Sequence, residues 1–83
     1  MEASPPAPDR TLDLRGEVCP YTFLKSRLAL EEMAVGQVLE VVLDHAPAAV
    51  DVPKGFRYEE QEVVLVEATS PGQWKVLVRK LHA

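Results

Sequence analysis

Cysteine is nearly missing from this chain, and tryptophan, histidine and glycine are few. There is one Cys, one Trp, two His and four Gly in 83 residues. A single thiol cannot close an internal disulfide, so the fold must stand without one, and a reducing interior is the simplest home. No apolar run approaches the roughly 18 residues a membrane span needs. The first residues lack the basic start and apolar middle of a secretion signal. A cytoplasmic protein with no membrane contact is expected. Positive charge is scarce too: nine Lys and Arg against thirteen Asp and Glu leave a net charge of −4, which argues against direct nucleic-acid binding. One Cys, an adjacent Asp44-His45 pair and no ligand spacing give no reason to expect a metal. A chain this short buries only about 60% of its unfolded surface, so it holds one core.

What is present is organised around Arg15-Gly16-Glu17-Val18-Cys19-Pro20-Tyr21-Thr22. Proline is favoured in the first turn of a helix, where its missing N–H costs nothing. Pro20 therefore marks a helix start and places Cys19 where backbone N–H groups lack intrahelical partners. Those donors and the helix dipole favour a thiolate over a thiol. A stabilisation of about 1.4 kcal/mol would lower the thiol pKa by one unit, which makes a useful nucleophile. The competing reading is a small buried structural cysteine. Residues 10–27 carry a net +2, against −2 for residues 1–9 and −4 for residues 28–83. Arg15, Lys25 and Arg27 could thus draw an anionic sulfur species or an acidic partner surface, although as solvated residues they need no explanation.

Residues 1–9 hold three prolines and little apolar surface and are expected to form a flexible tail, leaving residues 10–83 as the single domain. Alternation predicts a strand over 11–15, with Leu12 and Leu14 inward, and Gly16 allows the turn after it. A helix is expected from Pro20 to about Ala34. Its stripe is Phe23, Leu24, Leu28, Leu30, Met33 and Ala34, and Gly36 terminates it. Residues 38–43 read as a central buried strand. A second helix is expected from about Val52, capped by Asp51, to about Gln61, with Gly55 as a weak point. Strands follow over 62–68 and 74–79 around a Pro71-Gly72 turn, with Trp74 as a hairpin core anchor. The order βαβαββ predicts an α/β two-layer sandwich: a four-stranded mixed sheet with two helices on one face.

The run Leu12-Asp13-Leu14-Arg15-Gly16-Glu17-Val18-Cys19-Pro20, then Leu24-Lys25, Gly36 and the strand after it, resembles the TusA/SirA-like family of small sulfur-relay proteins. The likeness extends through Asp44 and Asp51-Val52-Pro53 and covers roughly residues 11–80. The family fold is the same βαβαββ sandwich. The resemblance implies a sulfur carrier. Cys19 would accept sulfane sulfur as a persulfide from a desulfurase or rhodanese-type donor and pass it to an acceptor protein. The destination would be tRNA thiolation, cofactor sulfur or sulfur oxidation. Such a protein is a sulfurtransferase-type carrier without turnover of its own. It needs no cofactor beyond the transient persulfide, and it is expected to be a monomer. Pro20 matches the first proline of the family's Cys-Pro-x-Pro; Thr22 stands in place of the second, where its hydroxyl could cap the helix or reach the sulfur. Glu60-Gln61 stands where the family often has Gly-His.

The remaining candidates are supporting ones. Gly16 shapes the loop. Asp44 and His45 end a central strand at the sheet edge where α/β sites gather, and either could assist the thiol, Asp44 otherwise capping a turn. Besides the carrier, two readings stay open: a non-catalytic regulatory or interaction module, and a thiol redox sensor.

Overall fold

The computed structural model describes residues 7–18 and 21–82. The element order is β1 (Arg10–Asp13), α1 (Tyr21–Glu31), β2 (Val38–Leu43), α2 (Ala46–Tyr58), β3 (Glu62–Ser70) and β4 (Gln73–Arg79). The four strands form one mixed sheet in the order β1-β2-β4-β3. β1 runs parallel to β2, with Leu12 opposite Val41. β4 is antiparallel to both neighbours, with Val41 opposite Val76 on one side and Val63 opposite Val78 on the other. The α/β two-layer sandwich of the sequence reading is the fold observed. Its final strand, however, lies inside the sheet, and β1 and β3 are the edges.

Alternation decides the core. Leu39, Val41, Leu43, Val76 and Val78 point to the helix side and are fully buried with Ala48, Val52 and Phe56 of α2. Leu12 and Leu14 of the first strand region join them as anticipated, Leu14 at 3% exposure. The opposite face is latched by polar pairs, including Thr11 to Glu40, Arg79 to Glu62 and Lys75 to Glu67.

Four local expectations are corrected. First, the buried face of α1 is Thr22, Ser26, Ala29 and Leu30, followed by Met33, while Leu24 and Leu28 are about half exposed. Successive helical residues are about 100° apart, so the expected stripe spans more than half the circumference and only part of it can face the core. The small side chains win that position, and the Ser26 hydroxyl is satisfied within the helix by donating to the Thr22 carbonyl at 2.7 Å. Second, α1 ends at Glu31, and Gly36 instead holds the third position of the Ala34–Gln37 turn at φ +94°. Third, α2 starts at Ala46 with His45 as its N-cap and Pro47 in the first turn, so Asp51 and Pro53 lie inside it. Burial of Ala48, Val52 and Phe56 outweighs the loss of about 3 kcal/mol that an interior proline brings. Fourth, Asp9 belongs to the sheet edge rather than to the tail. Its N–H donates to the Val38 carbonyl at 2.8 Å, and its carboxylate accepts from the Val38 N–H at 2.8 Å.

Glycine and cation placement complete the packing. Gly55 lies in α2 where the Phe23 ring crosses it; a Cβ there would stand 2.6 Å from Phe23 Cε1. Phe23 meets Phe56 edge to face, with centroids 5.2 Å apart. Lys80, only 7% exposed, reaches back 47 residues to donate to the Met33 carbonyl at 2.7 Å and also to the Glu31 carbonyl at 3.2 Å. Its charge sits at the end of α1 where orphan carbonyls and the helix dipole favour a cation.

Candidate functional site

The connection between β1 and α1 is built from its first residues upward. Leu14 extends the parallel ladder by donating to the Val42 carbonyl at 2.9 Å. Leu14 to Glu17 then form a tight turn closed by the Glu17 N–H on the Leu14 carbonyl at 3.0 Å, with Gly16 at φ +90° in its third position. That is the type II geometry, which asks for glycine there. The Gly16 N–H donates to the Asp44 carboxylate at 2.9 Å. Asp44, at the end of β2, thus pins the loop to the sheet, which accounts for two of the supporting residues that the sequence singled out.

Asp13 holds the other side of the turn. Its Oδ1 accepts from the Arg15 backbone N–H at 3.0 Å and from Arg15 Nε at 2.9 Å, and its Oδ2 accepts from Nη2 at 2.8 Å. These bonds, led by the guanidinium, pull the Asp13 carboxyl down to about 2 and raise the Arg15 guanidinium. The remaining cations near the loop are engaged as well: Lys25 with Glu17 at 2.9 Å, and Arg27 with Glu59 at 3.2 Å and Glu31 at 3.4 Å. The net-basic segment found in the sequence is therefore neutralised side chain by side chain.

The Val18 carbonyl accepts from the Tyr21 N–H at 2.9 Å and the Thr22 N–H at 3.3 Å. The hydrogen-bond ladder of α1 thus begins at Val18. A proline at position 22 would have no such donor, so the threonine that departs from the family pattern contributes one. Thr22 is wholly buried. Cys19 and Pro20 themselves, the carrier and helix-start residues of the sequence reading, lie outside the described residues. His45 is half-buried; its carbonyl accepts from the Ala48 and Ala49 amides, and its ring makes no capping bond. Among the described residues, no group of three or more His, Cys, Asp and Glu is arranged to hold a metal ion, and no helix is long and apolar enough to cross a membrane.

Two features escaped the sequence reading. Tyr21, Leu24 and Leu28 are 57, 48 and 51% exposed along the outer side of α1, and Val18 beside them is 50% exposed. The signal was the spacing of small residues at 22, 26 and 29, which marks the true inner face. At the C-terminal end, the His82 ring stands 2.9 Å from the Glu59 carbonyl.

A small βαβαββ sandwich whose single cysteine lies in the connection between its first strand and first helix is the class of protein that fold and loop define. Residues 10–80 match the family described as sulfurtransferase TusA, and the chain belongs to that family. It is 46% identical over 72 residues to an Archaeoglobus fulgidus protein named "Putative sulfur carrier protein", covering 87% of this chain and 82% of the relative. A Thermotoga maritima protein of the same name is 34% identical over 70 residues, 84% of this chain and 89% of the relative. The crystal structure of a SirA-like protein from Desulfitobacterium hafniense superposes with a TM-score of 0.77 over 88% of this chain and 99% of that one. At 22% identity, it speaks to the fold alone.

Proposed function

We propose that this protein is a sulfur carrier. Cys19 takes a sulfane sulfur from a donor protein of desulfurase or rhodanese type and delivers it to an acceptor protein. The observation that carries the reading is the position of the only cysteine. It follows Val18, whose carbonyl opens the ladder of α1, in a loop tethered to β2 through Gly16 and Asp44, in a chain of the TusA family.

The chemistry needs only the thiolate and access to it. The Cys19 thiolate attacks the terminal sulfur of a donor persulfide, a new S–S bond forms, the donor's S–S bond breaks, and the electron pair leaves on the donor thiolate. The reverse attack by an acceptor thiolate unloads the sulfur. No net oxidation occurs, and no resident metal or cofactor takes part. Thr22 supplies an amide to the first turn of α1, while Gly16 and Asp44 hold the loop. A reducing, cytoplasmic setting suits a thiol that must stay unpaired.

The test is intact mass after incubation with a cysteine desulfurase and L-cysteine. A gain of about 32 Da on Cys19, one sulfur atom, absent in Cys19→Ser, is the expected result. No gain, together with an alkylation pH profile showing a thiol pKa at or above that of free cysteine, about 8.5, would leave a non-catalytic module. A depressed pKa without a sulfur adduct would favour a redox sensor.

A further inference from the structure

A cavity lies at the far end of α1 from the Cys19 loop, and sulfur transfer makes no use of it. It holds about 260 Å³ between the last turns of α1, the end of α2 and the residues that follow β4. Leu30 and Phe56, almost wholly buried, form its apolar floor. Its walls are fixed by hydrogen bonds. The Gln61 side-chain amide donates to the His82 carbonyl at 3.3 Å, its oxygen accepts from the Leu81 N–H at 2.8 Å, and the His82 ring meets the Glu59 carbonyl at 2.9 Å. The charges around the cavity do not cancel in place. Lys80 lines it at 7% exposure, and among the described residues no carboxylate pairs with it. Its ammonium gives two of its three N–H groups to the Met33 and Glu31 carbonyls. A helix end is equivalent to about half a negative charge, so part of this cation stays unmatched. Glu31 and Glu59, also on the wall, share one guanidinium, that of Arg27 at 3.4 and 3.2 Å, and among the described residues no other Lys or Arg pairs with either. The two carboxylates thus leave one negative charge in excess.

We infer that this cavity binds a small zwitterion, a free α-amino acid with an apolar side chain, whose carboxylate meets Lys80 and whose ammonium meets Glu31 and Glu59. Charge complementarity selects the class. A simple anion would satisfy Lys80 but face two carboxylates with a single guanidinium between them. A simple cation would satisfy the carboxylates but face the buried ammonium. Only a ligand carrying both charges answers both walls, and an unanswered charge in a partly desolvated site is costly. Size narrows it further. The volume of about 260 Å³ falls below the roughly 300–1,000 Å³ of drug-sized sites, so the occupant is small, and the Leu30 and Phe56 floor receives its side chain. The site shares no residue with the loop between β1 and α1, so it stands or falls apart from the carrier reading.

The experiment titrates three probes of one branched shape into the full-length, isotope-labelled protein at neutral pH and follows its amide chemical shifts. L-leucine carries both charges, isocaproate only the carboxylate and isoamylamine only the ammonium. L-leucine should move the amides of residues 30–33, 59–61 and 80–82 saturably, with a Kd of about 1 mM or below. Each single-charge probe should bind about tenfold or more weakly than L-leucine. Lys80→Met should weaken L-leucine by about tenfold or more and narrow its advantage over isoamylamine; Glu59→Gln should weaken it by a similar factor and narrow its advantage over isocaproate. Circular dichroism checks folding, and Glu59→Gln, at a partly exposed side chain, carries the test if Lys80→Met does not fold. The absence of a saturable shift with L-leucine overturns the proposal, as do saturable shifts confined to other residues. Isocaproate or isoamylamine binding as tightly as L-leucine overturns it too, by making the cavity a site for a simple anion or a simple cation. So does an L-leucine affinity that Glu59→Gln leaves unchanged.

Discussion

Gly55→Ala should destabilise this protein, although it replaces a poor helix former in the middle of a helix by the best one. Propensity alone favours alanine by about 1 kcal/mol. The added Cβ, however, would stand 2.6 Å from Phe23 Cε1 and 2.9 Å from its Cδ1 and Cζ, distances that atoms do not tolerate. The ring cannot simply retreat, because it packs edge to face on Phe56 at 5.2 Å and 65°. Forcing an extra carbon into such a site costs about 1–3 kcal/mol, and displacing the ring forfeits part of a pair worth about 0.5–1.5 kcal/mol. The net loss is about 1–2 kcal/mol, or a fall in Tm of roughly 5–15 °C for a domain of this size. Urea unfolding followed by circular dichroism measures it, with the slope checked for constancy. In a Phe23→Leu background the clash is gone, and the same substitution should become neutral or stabilising, a coupling of at least about 1 kcal/mol. A Gly55→Ala protein more stable than wild type, with Phe23 intact, would refute the close approach of α1 to α2.

Three further outcomes are expected. Glu60 holds the left-handed position that ends α2, at φ +63°, with the Glu60 and Gln61 amides on the Arg57 and Phe56 carbonyls; Glu60→Gly should raise stability by about 0.5–1 kcal/mol in urea unfolding, since an L-residue costs about 1–2 kcal/mol there and glycine returns only part of that as entropy. Lys80→Met should lower stability by about 1–3 kcal/mol by removing the donor shared by the Glu31 and Met33 carbonyls, and amide exchange should quicken first in the last turn of α1. The Asp13 carboxyl, lowered from 3.8 to about 2, binds its proton more weakly folded than unfolded; its contribution is present in full above pH 4 and disappears as pH falls from 3.8 towards 2. Asp13→Asn should flatten the acid limb of the urea midpoint in that window, and an unchanged limb would mean that the carboxyl is not held by Arg15.

The departure Glu60-Gln61 shows how a sequence difference can be read twice. As a motif, it looks like a loss of the family's usual Gly-His. In the structure, position 60 is the left-handed helix end, which glycine fills at no steric cost, so the difference bears on stability before it bears on any partner. Thr22 is similar. It removes a proline from the motif and gains an amide that reaches the Val18 carbonyl at 3.3 Å. Neither departure disturbs the βαβαββ order or the turn at Gly16.

Local pattern by itself determined the order of elements, the buried central strand, the hairpin, the turn glycine and the position of the lone thiol before a helix. These follow from periodicities and residue preferences that act over a few neighbours. Tertiary structure alone decided which half of α1 is inside, because an over-wide apolar stripe leaves the choice to the close packing of Thr22, Ser26 and Ala29. It carried α2 back to Ala46 through two prolines, since burial of Ala48, Val52 and Phe56 outweighs local preference. It also joined Asp44 to Gly16 and Lys80 to the end of α1, contacts between residues 28 and 47 positions apart that no short window of sequence contains.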